Sequence, residues 1–436
     1  MKHPVLLLPL VLAAVTAARA ASALVPPSPD FSAYAKKSPW TLDESFLAEA
    51  AAKRPNSNFY ESKVAHYLLP DLFTFAAAGG GKATDPATWE TRRAELLELF
   101  RGEVYGFAPP RPDTLAFRVI RSDPRAMEGR ATLKQVAISL QLGGETFAFN
   151  LTLFVPNRRP GPAPVFLLLN HRGPDNTDPT RENRSEFWPA EYAIDRGYAM
   201  AAVNVSAEVE PDRRDATTGV RAFYKKHAAL AGGDFTWGAL AAWAWAGSRA
   251  VDYFITDSDL DSAQIAVIGH SRSGKTSLWA AAQDPRFALA AVNCSGEGGA
   301  SLSRHNIGET LRQITSNFPH WFVPGYARYA DDPARLPVDQ HQLIALVAPR
   351  GCHGGDGTLD LHADPRGAWL ALVAASPAWA LHGRATALPD AMPLVNDLLL
   401  HGPLAYHLRE GGHALTTFDW KLYLDHADAL FGRPRR

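Results

Sequence analysis

The segment Ile265-Ala-Val-Ile-Gly-His-Ser-Arg-Ser-Gly-Lys-Thr276 constrains this chain more than any other. Its apolar start reads as a strand and its end opens a helical stretch, so the backbone must reverse over a few small residues with Ser271 at the apex. Two machines fit that outline. One is a nucleophile elbow, G-x-S-x-G, in which small neighbours let strand and helix approach closely around an exposed serine. Here the second position after the serine is Ser273, and Gly274 stands one further on. The other is a phosphate-binding loop, because Gly269-x4-Gly274-Lys275-Thr276 satisfies G-x4-G-K-[ST] completely. A phosphate loop usually follows the first strand of its domain. This segment lies well past mid-chain, and no strand ending in a magnesium-binding Asp follows it. The elbow is the preferred reading.

The flanking pattern supports a sheet on which such a turn can stand. Segments Thr114–Arg121, Thr132–Leu142 and Thr146–Val155 read as successive antiparallel strands, with Gly143-Gly144 as a hairpin signal between the last two. After Pro160 the pattern changes. Apolar runs at Pro164–Asn170, Tyr198–Val205, Gln264–Ile268 and Ala288–Val292 suit strands buried on both faces. Helical stretches lie between them at Trp188–Arg196, Trp237–Phe254 and Ser273–Gln283. Such alternation predicts an α/β fold with a mostly parallel central sheet covered on both faces, preceded by an antiparallel β extension. No repeat or linker divides residues 21–436, which read as one domain. Residues 21 to about 60 read as an irregular lead-in.

Residues 1–20 are expected to be a cleaved signal. A basic start, an apolar run from Val5 to Ala17 and Ala18-Arg19-Ala20 match the pattern that a signal peptidase accepts. No later run is long and apolar enough to span a bilayer, so an exported protein without a membrane span is expected. A formal net charge of -1 gives no basic balance for a nucleic-acid partner. The two cysteines, Cys294 and Cys352, suit neither a zinc site nor any other metal centre by spacing. In an exported protein they can pair, and a disulfide beside the active site is the expectation. No cofactor is expected, and the chain is expected to act as a monomer.

A serine is a useful nucleophile only when a base takes its proton and an acid orients that base. His413, in Arg409-Glu-Gly-Gly-His413, is the late histidine best placed on a loop, since two glycines let the backbone turn tightly. His401, His407 and His426 compete; His426 falls in a helical pattern and reads as a surface residue. Arg272 follows the nucleophile, where the backbone N–H is the usual oxyanion donor and a guanidinium adds a fixed positive charge. Lys275 lies one helical turn beyond Ser271 and can face the same pocket.

Together these residues resemble the glucuronoyl esterases, carbohydrate esterases with the α/β-hydrolase fold, a three-layer sandwich. The likeness runs from about Pro70 to the C-terminus. It is carried by Trp237–Asp257, Gly269–Lys275, Gly308-Glu309-Thr310 and Phe318-Pro-His-Trp321-Phe322, and by Asp339-Gln-His341, Ala348-Pro-Arg350 and His413–Trp420. The resemblance implies hydrolysis of an ester between a glucuronic acid side chain of xylan and a lignin alcohol. It implies an oxyanion role for Arg272, and sugar-binding roles for Lys275, Glu309, Trp321 and the residue at 362.

The sequence departs from the family pattern at the acid. The family's usual Glu-Ser-Gly-x-Gly-Gly is here Cys294-Ser-Gly-Glu297-Gly-Gly299, with cysteine at the acid's own position. Some bacterial members carry the acid after the next strand, and Asp360 matches that place. It also restores the chain order Ser271, Asp360, His413. Asp360 is therefore placed ahead of Glu297, while Asp364 before Pro365 reads as a helix-entry residue. His362 stands where many relatives have a sugar-packing tryptophan, and Gly351–Gly357 is very rich in glycine for a strand beside an active site. The alternatives are a serine esterase acting on another carbohydrate or aryl ester, a non-catalytic carbohydrate-binding relative and, remotely, a nucleotide-binding protein.

Overall fold

The computed structural model describes residues 29–76, 80–384 and 388–434, so the signal expected at 1–20 lies outside the described residues. Ten strands appear among them: β1 (Ala116–Arg125), β2 (Ala131–Leu142), β3 (Glu145–Pro156), β4 (Ala163–Asn170) and β5 (Ala199–Asn204), then β6 (Leu260–His270), β7 (Leu289–Asn293), β8 (Gly351–Gly357), β9 (Leu398–His401) and β10 (Leu404–Arg409). They form one sheet in the order β1-β2-β3-β5-β4-β6-β7-β8-β10-β9. β1 to β3 pair antiparallel, and β3 joins β5 antiparallel. From β5 to β10 every pairing is parallel, before β9 closes the edge antiparallel.

The side-chain pattern explains this division. β4 is buried at every residue. Val165, Leu167 and Leu169 enter one core, while Phe166 and Leu168 enter the other. Both faces are covered, so the strand reads as an unbroken apolar run. β2 instead alternates, with Val136, Ile138 and Leu140 buried between more exposed neighbours, as one-sided antiparallel strands do. Gly143 and Gly144 both take positive φ, 58° and 80°, which the primed hairpin turn between β2 and β3 requires.

The helix Ala239–Phe254 is buried nearly all round, as a core helix of a large fold is. It starts hard against Trp321: a Cβ on Gly238 would stand 2.0 Å from the Trp321 carbonyl oxygen. Arg272–Gln283 lies beside it on the same face, and Thr417–Leu430 covers the other.

Three expectations are corrected. The lead-in is structured: Glu44–Lys53 is a helix, and the Asn58 carbonyl accepts the Gly308 N–H at 2.8 Å. His426 is not at the surface. It is 0% exposed, with its ring 5.1 Å from that of His353 on β8. The glycines of β8 make room there, since a Cβ on Gly355 would stand 2.3 Å from the His407 ring and 2.5 Å from the Tyr423 hydroxyl. The cysteines are also separate, free and buried. Cys352 faces Ala290 across β7 and β8, four residues before Cys294, so the strand rise separates the two by roughly 13 Å. A disulfide needs Cα atoms within about 7 Å.

The lead-in is fastened by charge. His305 is buried, with Nδ1 2.8 Å from Asp364 Oδ2 and Nε2 3.1 Å from Glu61 Oε2. Burial works against the charged ring, but the two carboxylates outweigh it and push its pKa up to about 10. A pKa raised on folding stabilises fully below the unfolded value, about 6.5 for histidine, and is lost as pH climbs to the folded one. The gap in melting temperature between the wild type and His305→Gln is therefore widest near pH 6 and closes toward pH 10. A gap that widened over that range would refute a charged His305.

Candidate active site

Four strand ends on one rim of the sheet supply the site, as open α/β sheets do at the carboxyl ends of their strands. Ser271 follows β6, Cys294 follows β7, Asp360 follows β8 and His413 follows β10. Ser271 sits at φ 58°, ψ −126°, a conformation that L-residues avoid and that costs on the order of 1–3 kcal/mol. The surroundings hold it there. Its N–H donates to the Asn293 carbonyl at 2.9 Å. A Cβ on Gly269 would lie 1.8 Å from the Ser273 carbonyl oxygen, and one on Gly274 would lie 2.7 Å from that of Asn293. Ser273 itself is tolerated: its hydroxyl is buried 2.8 Å from His171 Nδ1.

This geometry ends the phosphate-loop reading. The helix begins at Arg272, directly after Ser271, so no loop remains to wrap a phosphate. Lys275 points inward instead. It is buried, its Nζ donates to the Ser295 carbonyl, and Glu309 Oε2 lies 3.9 Å away. Burial lowers the Lys275 pKa and raises that of Glu309, each opposed by the other's charge.

His413 Nδ1 lies 2.6 Å from Asp360 Oδ2. Asp360 is buried, whereas the His413 side chain is 42% exposed. The loop carrying His413 is laced to Arg409, which donates to the carbonyls of Glu410 at 2.8 Å, Gly412 at 2.9 Å and Ala414 at 3.2 Å. Asp419 anchors that guanidinium through Nε at 2.9 Å. Gly357 passes so close beneath this loop that a Cβ there would meet the carbonyl oxygens of Gly411 and Gly412, each at 2.6 Å.

The other acid candidates are engaged elsewhere. Glu297 is buried, and its Oε1 accepts from the Ser303 hydroxyl at 2.8 Å and the Tyr326 hydroxyl at 3.0 Å. Burial pushes its pKa up to about 8. Asp364 caps the helix Pro365–Ala375 through the Gly367 N–H. Cys294 takes positive φ, 45°, and its thiol points to the Ala414 carbonyl at 3.7 Å. Burial pushes that thiol well above its usual range.

Arg272 is held by a residue that the sequence did not flag. Asp212 pairs with its guanidinium and also accepts from Trp321 Nε1 at 2.6 Å, with His320 Nε2 2.9 Å away. Burial raises the Asp212 carboxyl, but these partners outweigh it and hold it below the usual range. The guanidinium carbon lies 4.9 Å from the Trp321 ring centroid, and Trp321 stacks on Phe318 at 3.9 Å. Opposite, His362 Nε2 lies 3.3 Å from Arg54 Nη1 and 3.7 Å from Glu309 Oε1. Burial and then Arg54 push His362 down to about 4, so the ring is neutral at pH 7.

All eight residues singled out in the sequence line one cavity of about 360 Å³: Ser271, Arg272, Lys275, Glu309, Trp321, Asp360, His362 and His413. Arg54 reaches the same cavity from the supposed lead-in. Sequence reading missed both Arg54 and Asp212, since neither lies in a motif that marks it. A strained serine, a paired His–Asp and fixed positive charge around one cavity suit acyl transfer.

The comparisons agree with that chemistry. A sequence model described as glucuronyl esterase, fungi, matches residues 138–383. The chain is 36% identical over 417 residues to a protein named carbohydrate esterase MZ0003 from an unknown prokaryotic organism, covering 89% of this chain and 94% of that one. It is 30% identical over 321 residues to a 4-O-methyl-glucuronoyl methylesterase of Schizophyllum commune, covering 70% and 71%. Among solved structures it matches a glucuronoyl esterase from Solibacter usitatus with a TM-score of 0.77 and 35% identity, over 86% of this chain and 100% of that one. The chain belongs to the glucuronyl esterase family and, with its α/β-hydrolase fold, is a carboxylic ester hydrolase.

Proposed function

We propose that the chain hydrolyses esters of glucuronic acid or its 4-O-methyl ether, such as those joining xylan side chains to lignin alcohols, with Ser271, His413 and Asp360 as catalytic triad. The observation that carries the reading is the 2.6 Å Asp360–His413 contact in the cavity that also holds the strained Ser271. Relatives named 4-O-methyl-glucuronoyl methylesterase supply the substrate class.

The steps follow from the positions. Ser271 Oγ attacks the ester carbonyl while His413 takes its proton, and Asp360 fixes the ring and stabilises the imidazolium. Negative charge develops on the carbonyl oxygen, where the Arg272 N–H and guanidinium offer fixed positive charge. His413 then protonates the departing alcohol, and water repeats the sequence on the acyl-enzyme. Lys275, Glu309 and His362 line the cavity as donors and acceptors for sugar hydroxyls, and Phe318, stacked on the buried Trp321, offers an apolar face to the ring. The reading carries with it export after loss of residues 1–20, residues 21–436 as one catalytic unit, and action as a monomer. Among the described residues no helix is long and apolar enough to cross a membrane.

Benzyl glucuronate and its 4-O-methyl analogue should be cleaved with higher kcat/KM than simple aryl acetates. A preference for acetates would move the function to another carbohydrate or aryl ester.

The oxyanion role is testable separately. Arg272→Ala lowers kcat by about a hundredfold, the scale of losing one preorganised donor. The fold should survive, because Asp212 keeps its bonds to Trp321 and His320. A change confined to KM would make Arg272 a substrate-binding residue instead.

A further inference from the structure

Two departures from the family pattern, cysteine after β7 and the acid after β8, have a joint consequence. They bring a thiol, a carboxylate and an imidazole together: Cys294, Asp360 and His413 each offer one ligand atom within 4.8 Å of the other two. We propose that this trio is a binding site for a thiophilic divalent cation of the zinc class, held by Cys294 Sγ, Asp360 Oδ2 and His413 Nδ1, and that its occupation shuts the esterase off. The inhibitory half rests on His413 being the base.

Ligand type and geometry both fit. Thiolate, imidazole and carboxylate are the three ligand types that zinc takes, at roughly 2.0–2.3 Å. Tetrahedral bonds of that length set ligand atoms roughly 3.5 Å apart. Asp360 Oδ2 and His413 Nδ1 stand at 2.6 Å and must open slightly, while the sulfur must close by an ångström or so. The His413 side chain, 42% exposed, has the freedom to make that adjustment. All three residues line the cavity, so the ion has an entry path, and its fourth position can face the cavity and hold a water.

The charges and protons balance. The Cys294 thiol releases its proton to solvent, and the ring proton of His413 moves from Nδ1 to Nε2. Thiolate and carboxylate neutralise the ion's two charges, leaving no net charge in a largely buried place. With Nε2 protonated and Nδ1 on the metal, His413 can no longer accept the Ser271 proton. Asp360 is likewise withdrawn from its orienting role.

The test uses the purified full chain, zinc chloride and a chromogenic aryl ester, with cobalt(II) as a spectroscopic substitute. One zinc is expected per chain by equilibrium dialysis, with loss of turnover reversed by chelator. Cobalt is expected to give the near-ultraviolet charge-transfer band of a thiolate ligand. In Cys294→Ser the zinc needed for half-inhibition, measured against that variant's own activity, rises by at least about tenfold, since even outer partners of a ligand are worth that much. The cobalt band disappears with it. Cys294→Ala serves if the serine variant fails to fold, and Cys352→Ser keeps both responses. Unaltered inhibition in the Cys294 variants, or a cobalt band that persists in them, overturns the site. Binding through Cys294 without loss of turnover overturns the base role of His413 instead.

Discussion

Ser271→Ala is expected to remove esterase turnover almost completely, by roughly a million-fold in kcat, as loss of the nucleophile does in serine proteases. The argument runs from the backbone. At φ 58°, ψ −126° the Ser271 side chain is carried by a turn in which neither Gly269 nor Gly274 has room for a Cβ. The Cys294 thiol cannot take its place as nucleophile, being held neutral by burial and pointed at the Ala414 carbonyl. Alanine accepts the same backbone strain as serine, so the melting temperature should barely move. Ser271→Gly should raise it, because glycine relieves a strain on the order of 1–3 kcal/mol. Since the triad acts as a unit, adding His413→Ala to Ser271→Ala should cost almost nothing further. Turnover that survives Ser271→Ala would end the serine-esterase reading.

What could be read in the sequence, and what could not, divides along the range of the interactions. The continuous runs of β4 and β5 and the alternation of β2 are local consequences of being covered on two faces or one, so those strands were legible. The elbow was legible because its tightest constraint is local: a Cβ on Gly269 would meet the Ser273 carbonyl oxygen, four residues on. Asp212 was not: its partners Arg272, His320 and Trp321 are about 60 to 110 positions away, and no local pattern records them. Arg54 was hidden in the same way, at the end of a helix in a segment whose Pro, Ala and Ser content resembled loop. His426 was misjudged because a helical period gives the face but not what covers it, and here β8 is stripped to glycine so that rings fill the space. The disulfide expectation failed on register. β7 and β8 are neighbours, but Cys352 lies at the start of β8 whereas Cys294 follows β7, and that pairing is not printed in the sequence.

The position of the acid gives the second large effect. Asp360→Asn should lower kcat by about three to four orders of magnitude, as tautomer loss does in serine proteases. The carboxylate accepts the Nδ1–H of His413 at 2.6 Å from a buried position. An amide can present its NH₂ there instead, leaving Nδ1 as acceptor and the proton on Nε2, where it blocks removal of the Ser271 proton. Glu297→Gln should cost far less. Burial lifts the Glu297 carboxyl to about 8, so near pH 7 it is mostly neutral, and glutamine is close to its isostere. Its bonded partners are Ser303 and Tyr326, and none of them reaches His413. KM for the uronate ester should stay close to wild type in both variants, since neither change adds or removes bulk. A pH–rate profile sharpens the comparison: Asp360→Asn should recover part of its activity at alkaline pH, where hydroxide can take the Ser271 proton in place of His413, while Glu297→Gln should leave the profile in place. If Glu297→Gln proved the more damaging of the two, the acid would belong on the loop after β7, and the 2.6 Å contact would be a structural ion pair.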